Sequence, residues 1–336
     1  MPKRKPEEAG MSGAEYHKHT HRPGRHCGSS AIRDLLEFHG LNLTEAFCFG
    51  LGAGLGITYV EIPNSDTPFI VHVRSMGFEE AVFSTLGVPF HWESWQDKED
   101  AAKALDGYLD AGRPALLLTD IYHLPYFKSS THFPGHAIVA WQRTDDGKTV
   151  LVSDTERPEL LEVPRDKLAL ARFSLTPPFI HHGSLFAPED ISVEISPEQV
   201  KSAIIRNAQT LKDGDKNQGI EALNTWINDL HRWKDFEKWP WLLRFAYQVI
   251  EKRGTGGGGF RTMYAEFIDE AEEVIPALKK MGLSDLMRDS ASAWSALADC
   301  LRLGSESETF PTEMIREAIA KVREAELRYI DAALTL

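Results

Sequence analysis

Near Ala187-Pro188-Glu189-Asp190 the apolar pattern of the chain changes period, and that change limits what it can fold into. Beyond it, apolar residues recur at helical spacing only, over 197–211, 219–233, 241–253, 261–275, 283–303 and 311–334. Before it, strand-length runs are interleaved with helices. The runs are Ile57-Thr58-Tyr59-Val60, 88–93, Pro114-Ala115-Leu116-Leu117-Leu118-Thr119-Asp120, Gly135-His136-Ala137-Ile138-Val139-Ala140-Trp141 and Thr149-Val150-Leu151-Val152-Ser153-Asp154. The pattern predicts an α+β domain over 14–187 and an all-α domain over 188–336, behind a polar, mobile tail over 1–13. The 336 residues suffice for two cores.

Within the first domain, the polar run His21-Arg22-Pro23-Gly24-Arg25-His26-Cys27-Gly28 leads into Ile32, Leu35 and Leu36 at helical spacing. Cys27 therefore stands at a helix N-terminus, where the dipole and unpaired backbone N–H groups favour a thiolate. The same N–H groups suit an oxyanion. Asp145-Asp146-Gly147-Lys148 is a turn joining two strands. It makes the start of one strand, His136, neighbour to the end of the other, Asp154, because antiparallel partners run back alongside each other. A thiol at a helix tip, an imidazole and a carboxylate are the parts of a nucleophilic triad.

Two glycine-rich stretches need separate readings. Phe49-Gly50-Leu51-Gly52-Ala53-Gly54-Leu55-Gly56 follows a helix and precedes a strand, the reverse of a dinucleotide-binding fingerprint. It reads as close packing beside the Cys27 helix, with Gly54 a candidate for the wall of a cleft. Arg253-Gly254-Thr255-Gly256-Gly257-Gly258-Gly259-Phe260-Arg261 opens a helix and lacks the Lys-Ser/Thr of a phosphate-binding P-loop. Either it is a flexible loop, or its N–H groups, with Arg253, Gly256, Gly257 and Arg261, bind an anion. The aromatic loop 122–133 offers Tyr122 and Tyr126 as substrate contacts.

The net charge of −13 argues against a nucleic-acid partner. No run reaches the length of a membrane span, and Lys3-Arg4-Lys5 leads into no apolar stretch of the kind a signal peptide has. Cys27, Cys48 and Cys300 are too few for a disulfide framework and fit a reducing, cytoplasmic setting. Exposed amphipathic helices in the second half allow a homodimer.

Three chemistries compete for these residues. The first is the Cys27–His136–Asp154 triad, whose activity should fall as His136 gains a proton. The second is a metal, held by His17, His19, His21, His26 and Cys27 or by His132 and His136. Those spacings match no common zinc pattern, and Pro134-Gly135 breaks any helix between the last pair, so no metal and no cofactor are expected. The third is a non-catalytic small-molecule binding protein, to which the aromatic loop is suited.

The order of helix cysteine, strand histidine and strand acid resembles that of papain-like thiol hydrolases. Those enzymes place an oxyanion donor, usually Gln, shortly before the cysteine. Here that region holds His21 and His26, which with Gly28 become the candidates for the oxyanion hole. Taken together, His26-Cys27-Gly28-Ser29-Ser30-Ala31, the glycine stretch from Phe49, His132-Phe133-Pro134-Gly135-His136 and Asp154-Thr155 resemble the butirosin biosynthesis protein H N-terminal family. The helical half resembles a domain of unknown function often fused behind it. The resemblance implies a papain-like fold and an acyltransferase with Cys27 as nucleophile, His136 as base and Asp154 as the orienting acid. It implies an acyl carrier protein or another acyl thioester as donor and an amine-bearing small molecule as acceptor. A cysteine hydrolase with the same triad is the alternative.

Overall fold

The computed structural model describes residues 21–336, apart from Asn64 and Pro178. The tail expected over 1–13, with His17 and His19, lies outside the described residues. In chain order the elements are α1 (Cys27–Phe38), α2 (Glu45–Leu51), β1 (Leu55–Glu61), β2 (Phe69–Arg74), α3 (Phe78–Leu86), α4 (Lys98–Asp110) and β3 (Ala115–Thr119). They continue as β4 (His136–Arg143), β5 (Thr149–Ser153), β6 (Leu161–Pro164), α5 (Arg165–Arg172) and β7 (Leu185–Phe186). The helical run is α6 (Pro197–Lys212), α7 (Gly219–Asp235), α8 (Trp239–Glu251), α9 (Arg261–Val274), α10 (Leu283–Gly304) and α11 (Thr312–Ala333).

These elements are mixed α and β, with the larger sheet in the N-terminal half and the C-terminal half helical. The chain divides into two compact units, and the division is not contiguous. One unit runs up to Cys48 and resumes over Gly87–Glu194; the other is Phe49–Leu86 with Ile195–Leu336. The sequence pattern placed the whole of 14–187 in one domain. The difference has a physical source: β1, β2 and α3 bury their apolar side chains against the helical run, which local periodicity does not reveal.

The first unit is built on a five-stranded antiparallel sheet in the order β6-β5-β4-β3-β7. Every residue of β3 is buried, which explains its unbroken Ala-Leu-Leu-Leu-Thr run. Leu105, Leu109, Leu117, Ile138, Val152 and Leu168 meet in its core. α1 packs on β4, and its Ile32, Leu35 and Leu36 are wholly buried. Residues 88–93 were expected as a strand; they make only a bridge from Glu93 to Leu185. Pro89, which has no N–H to give a ladder, is one reason.

In the second unit β1 and β2 form an antiparallel hairpin. The alternating burial of β2 is the signature of a half-covered strand. The early glycines serve packing within this unit. A Cβ at Gly50 would stand 2.0 Å from the Phe267 ring, and one at Gly54 would stand 2.6 Å from the Phe49 ring. The helix boundaries fall within two residues of those the periodicity predicts.

The later glycine run has a backbone cause. Gly256, Gly257, Gly258 and Gly259 all have positive φ, between 57° and 91°, a succession that side chains with a Cβ resist. This path delivers Arg261 into the interior at the start of α9. Its guanidinium is fully buried: Nε donates to Glu326 Oε1 at 2.7 Å, and the terminal nitrogens donate to the carbonyls of Gly259, Val73 and Gly56 at 2.7, 3.2 and 3.2 Å. Ser290 Oγ and Trp294 Nε1 donate to the same Glu326 oxygen, each at 2.7 Å.

Candidate active site

α1 starts at Cys27 because the preceding turn is tied down on several sides. His26 is its N-cap, with Nδ1 accepting the Ser29 N–H at 3.1 Å. The buried carboxylate of Glu45 receives the N–H groups of Arg25 at 2.9 Å and His26 at 2.7 Å, and the Ser29 hydroxyl at 3.2 Å. Across the sheet end, the Gly24 N–H donates to the Thr155 carbonyl at 2.6 Å, and Ser30 Oγ donates to Thr155 Oγ1 at 3.1 Å. The residue after Asp154 thus anchors the helix that carries Cys27.

His136 is the first residue of β4, paired in register with Thr119. Its Nε2 lies 2.9 Å from both oxygens of Asp154, just past the end of β5. Its ring also makes a side-chain hydrogen bond with Cys27. With Nε2 facing Asp154, Nδ1 is the ring atom that faces the thiol. Cys27 is partly exposed, whereas His136 and Asp154 are buried.

Two opposing effects act on the imidazole. Burial pushes its pKa down, but the charge and hydrogen bond of Asp154, aided by Cys27, overcome burial and raise it to about 10. Burial works against the charged form of Asp154 too. The His136 ring, the Tyr126 hydroxyl and the Thr155 N–H outweigh it and leave the carboxyl below its ordinary range. Tyr126 Oη donates to Asp154 Oδ2 at 2.6 Å, and burial with the neighbouring carboxylate pushes the phenol upward, so it stays a neutral donor. The Phe127 ring meets His136 edge to face, with centroids 5.1 Å apart.

The charge beside Cys27 is of the sign that favours a thiolate over a thiol. The expectation that activity falls as His136 gains a proton assumes an ordinary imidazole, whereas Asp154 and Cys27 raise this one to about 10. Alkylation of Cys27 by iodoacetamide should therefore be near its plateau at pH 7, where a free thiol, of pKa about 8.5, would still be rising. In Asp154→Asn the main support for the imidazolium goes, and the alkylation midpoint should shift upward by about a unit or more. An unshifted profile would show that Asp154 does not set the charge state of the pair.

The other expected site residues fall differently. His21 is engaged on both ring nitrogens, with Nδ1 2.7 Å from Asp34 Oδ2 and Nε2 2.5 Å from the Arg157 carbonyl. It buttresses the turn and offers no ring N–H to an oxyanion. His26 spends Nδ1 on capping, and Gly28 lies in the first turn of α1. Tyr122 stacks on His132 at 4.0 Å. Tyr126, expected to contact substrate, instead supports Asp154. The His132–His136 pairing does not form a ligand set, because His132 Nδ1 faces Asp120 Oδ2 at 2.7 Å while His136 serves Asp154.

Of the two readings of the glycine run, the anion site finds its N–H groups partly taken up by the chain itself. Glu251 Oε2 accepts the Gly258 N–H at 3.0 Å, and the Gly257 N–H goes to Thr255 Oγ1 at 3.2 Å. Arg253 lies over the Phe245 ring and bonds Gln248 Oε1 at 2.9 Å. Arg261 is committed to Glu326. Gly54 is packed on Phe49 within the second unit. Glu45 is the site-building residue that sequence reasoning missed; it stands in no motif, and only the folded contacts reveal it, whereas Phe127 belongs to the aromatic loop already singled out.

No curated protein matches the chain. Residues 26–155 match the family described as butirosin biosynthesis protein H, N-terminal, a span that begins one residue before Cys27 and ends one after Asp154. Residues 166–333, half of the chain, match a domain of unknown function, DUF4872. The chain therefore belongs to the family in which a butirosin biosynthesis protein H N-terminal domain is followed by that second domain.

Proposed function

We propose that this protein is a papain-like, cysteine-dependent acyltransferase of natural-product biosynthesis, joining the acyl group of a thioester to an amine through an acyl-Cys27 intermediate. The observation that carries the reading is the chain of contacts from Cys27 through His136 to Asp154. The family is named for a protein of butirosin biosynthesis, which supports a biosynthetic setting.

The chemistry follows from the charge state of the pair. The Cys27 thiolate attacks the thioester carbonyl, and the oxyanion formed is met by the backbone N–H of Gly28, at a helix position with no intrahelical acceptor. The donor leaves as a thiol, taking the proton of His136. An amine then attacks the acyl-Cys27 carbonyl and gives its proton to His136 as the Cys27 thiolate departs, restoring the ion pair. Asp154, held by Tyr126 and Thr155, keeps the ring aligned through both steps. Exchange of one thioester for another is nearly neutral in energy, so the site need only steer the second step toward the amine by limiting access of water. Phe127 against His136 is one such cover. The donor in this reading is an acyl carrier protein or another acyl thioester, and the net negative charge suits a cationic, amine-bearing acceptor.

Incubation with an acyl thioester tests this directly. Intact mass should show one acyl adduct on the native chain and none on Cys27→Ala; an adduct that persists in the variant would remove the assignment. Adding amines should then release amide. Release of free acid alone, at a rate amines do not change, would make the protein a cysteine hydrolase.

A further inference from the structure

We propose that Asp120, His123 and His132 form a binding site for a divalent first-row transition-metal ion of the zinc type, which ties together the two ends of the loop that carries Tyr126 and Phe127. The three residues offer one carboxylate oxygen and two ring nitrogens, and all three atoms lie within 4.8 Å of one another. Ligands at about 2.0–2.2 Å around one tetrahedral ion stand roughly 3.3–3.5 Å apart, so small side-chain adjustments close the set. The 2.7 Å contact of His132 Nδ1 with Asp120 Oδ2 opens slightly as the ion enters between them.

Asp120 has the support a ligating carboxylate requires. It is wholly buried just past the end of β3. Oδ1 accepts the N–H groups of Tyr122 at 3.1 Å and Phe133 at 2.9 Å, and Oδ2 accepts the Ser174 hydroxyl at 2.6 Å. Such outer contacts fix the aim of a metal ligand.

The histidines supply the open side. His132 is exposed, stacked on Tyr122, and His123 presents its ring to His132 at 5.8 Å between centroids. Water can complete the coordination there. Two imidazoles and one carboxylate favour zinc-like ions over magnesium or calcium, which prefer oxygen alone. The chain between the ligands contains Tyr126, the hydroxyl partner of Asp154, and Phe127, the ring against His136. An ion at the loop's two ends restricts its motion and steadies both aromatics.

The test uses the full-length chain, stripped with a chelator, in a Cys27→Ala, His17→Ala, His19→Ala background that removes other soft donors. Zinc binding is followed by calorimetry, and cobalt by its visible ligand-field bands. One ion per chain is expected, with affinity falling about tenfold or more in each of His123→Ala and His132→Ala. Zinc should also slow proteolysis within 121–133 in the background chain. Both histidines are solvent-accessible, and circular dichroism of each variant verifies the fold. Absence of binding in the background chain, or a loss smaller than tenfold in either variant, overturns the proposal.

Discussion

His136→Ala is expected to slow acylation of Cys27 by a thioester by roughly three to four orders of magnitude. Under the proposed mechanism the variant loses two functions at once. The cation that holds the thiolate is gone, and so is the proton that the departing thiol takes. Asp154 keeps the Tyr126 hydroxyl and the Thr155 N–H as partners, so its carboxylate is not left wholly unsatisfied. The measurement is single-turnover formation of the acyl adduct, read by intact mass against time, with circular dichroism to verify the fold. A rate within tenfold of native would place the proton transfer on another group. Asp154→Asn should lose less, because an amide can still hold the ring while giving up the charge.

The largest expected effect on stability lies in the second unit. Arg261→Ala should cost about 3–5 kcal/mol, the range for breaking a buried ion pair from one side. The loss has an identifiable source: Glu326 would remain buried without its cation, and the carbonyls of Gly56, Val73 and Gly259 would lose a donor. Urea unfolding followed by tryptophan fluorescence reads the change, since the Trp294 indole bonds Glu326. Arg261→Met combined with Glu326→Leu should recover part of the loss by removing both charges together. If Arg261→Ala were as stable as native, the pair would be an incidental contact. Lys in place of Arg would not suffice, because one ammonium cannot reach four acceptors in the fork geometry of a guanidinium.

Much of the candidate site could be read before any fold was known, for a local reason. The start of α1 at Cys27 follows from a polar, turn-rich run giving way to helical apolar spacing. The nearness of His136 and Asp154 follows from a hairpin closed by 145–148, in which strand ends adjoin by construction. One supporting residue was hidden. Glu45 lies in a segment with no chemical motif, and what it does depends on backbone groups that arrive from elsewhere. Arg261 was misread for a related reason. A glycine run flanked by arginines has the composition of an anion site whether or not the chain supplies its own carboxylate, and here Glu251 does.

What the amino-acid sequence by itself determined is the type and extent of nearly every long element, because burial of one face imposes a period that survives in a single chain. It also determined which residues stand at element ends, and hence where a thiol, an imidazole and a carboxylate could meet. Tertiary structure alone decided the grouping of Phe49–Leu86 with the helical run, the burial of Arg261 against Glu326, and the upward shift of His136. Each of these depends on which distant groups exclude water from a given side chain, and no local pattern records that.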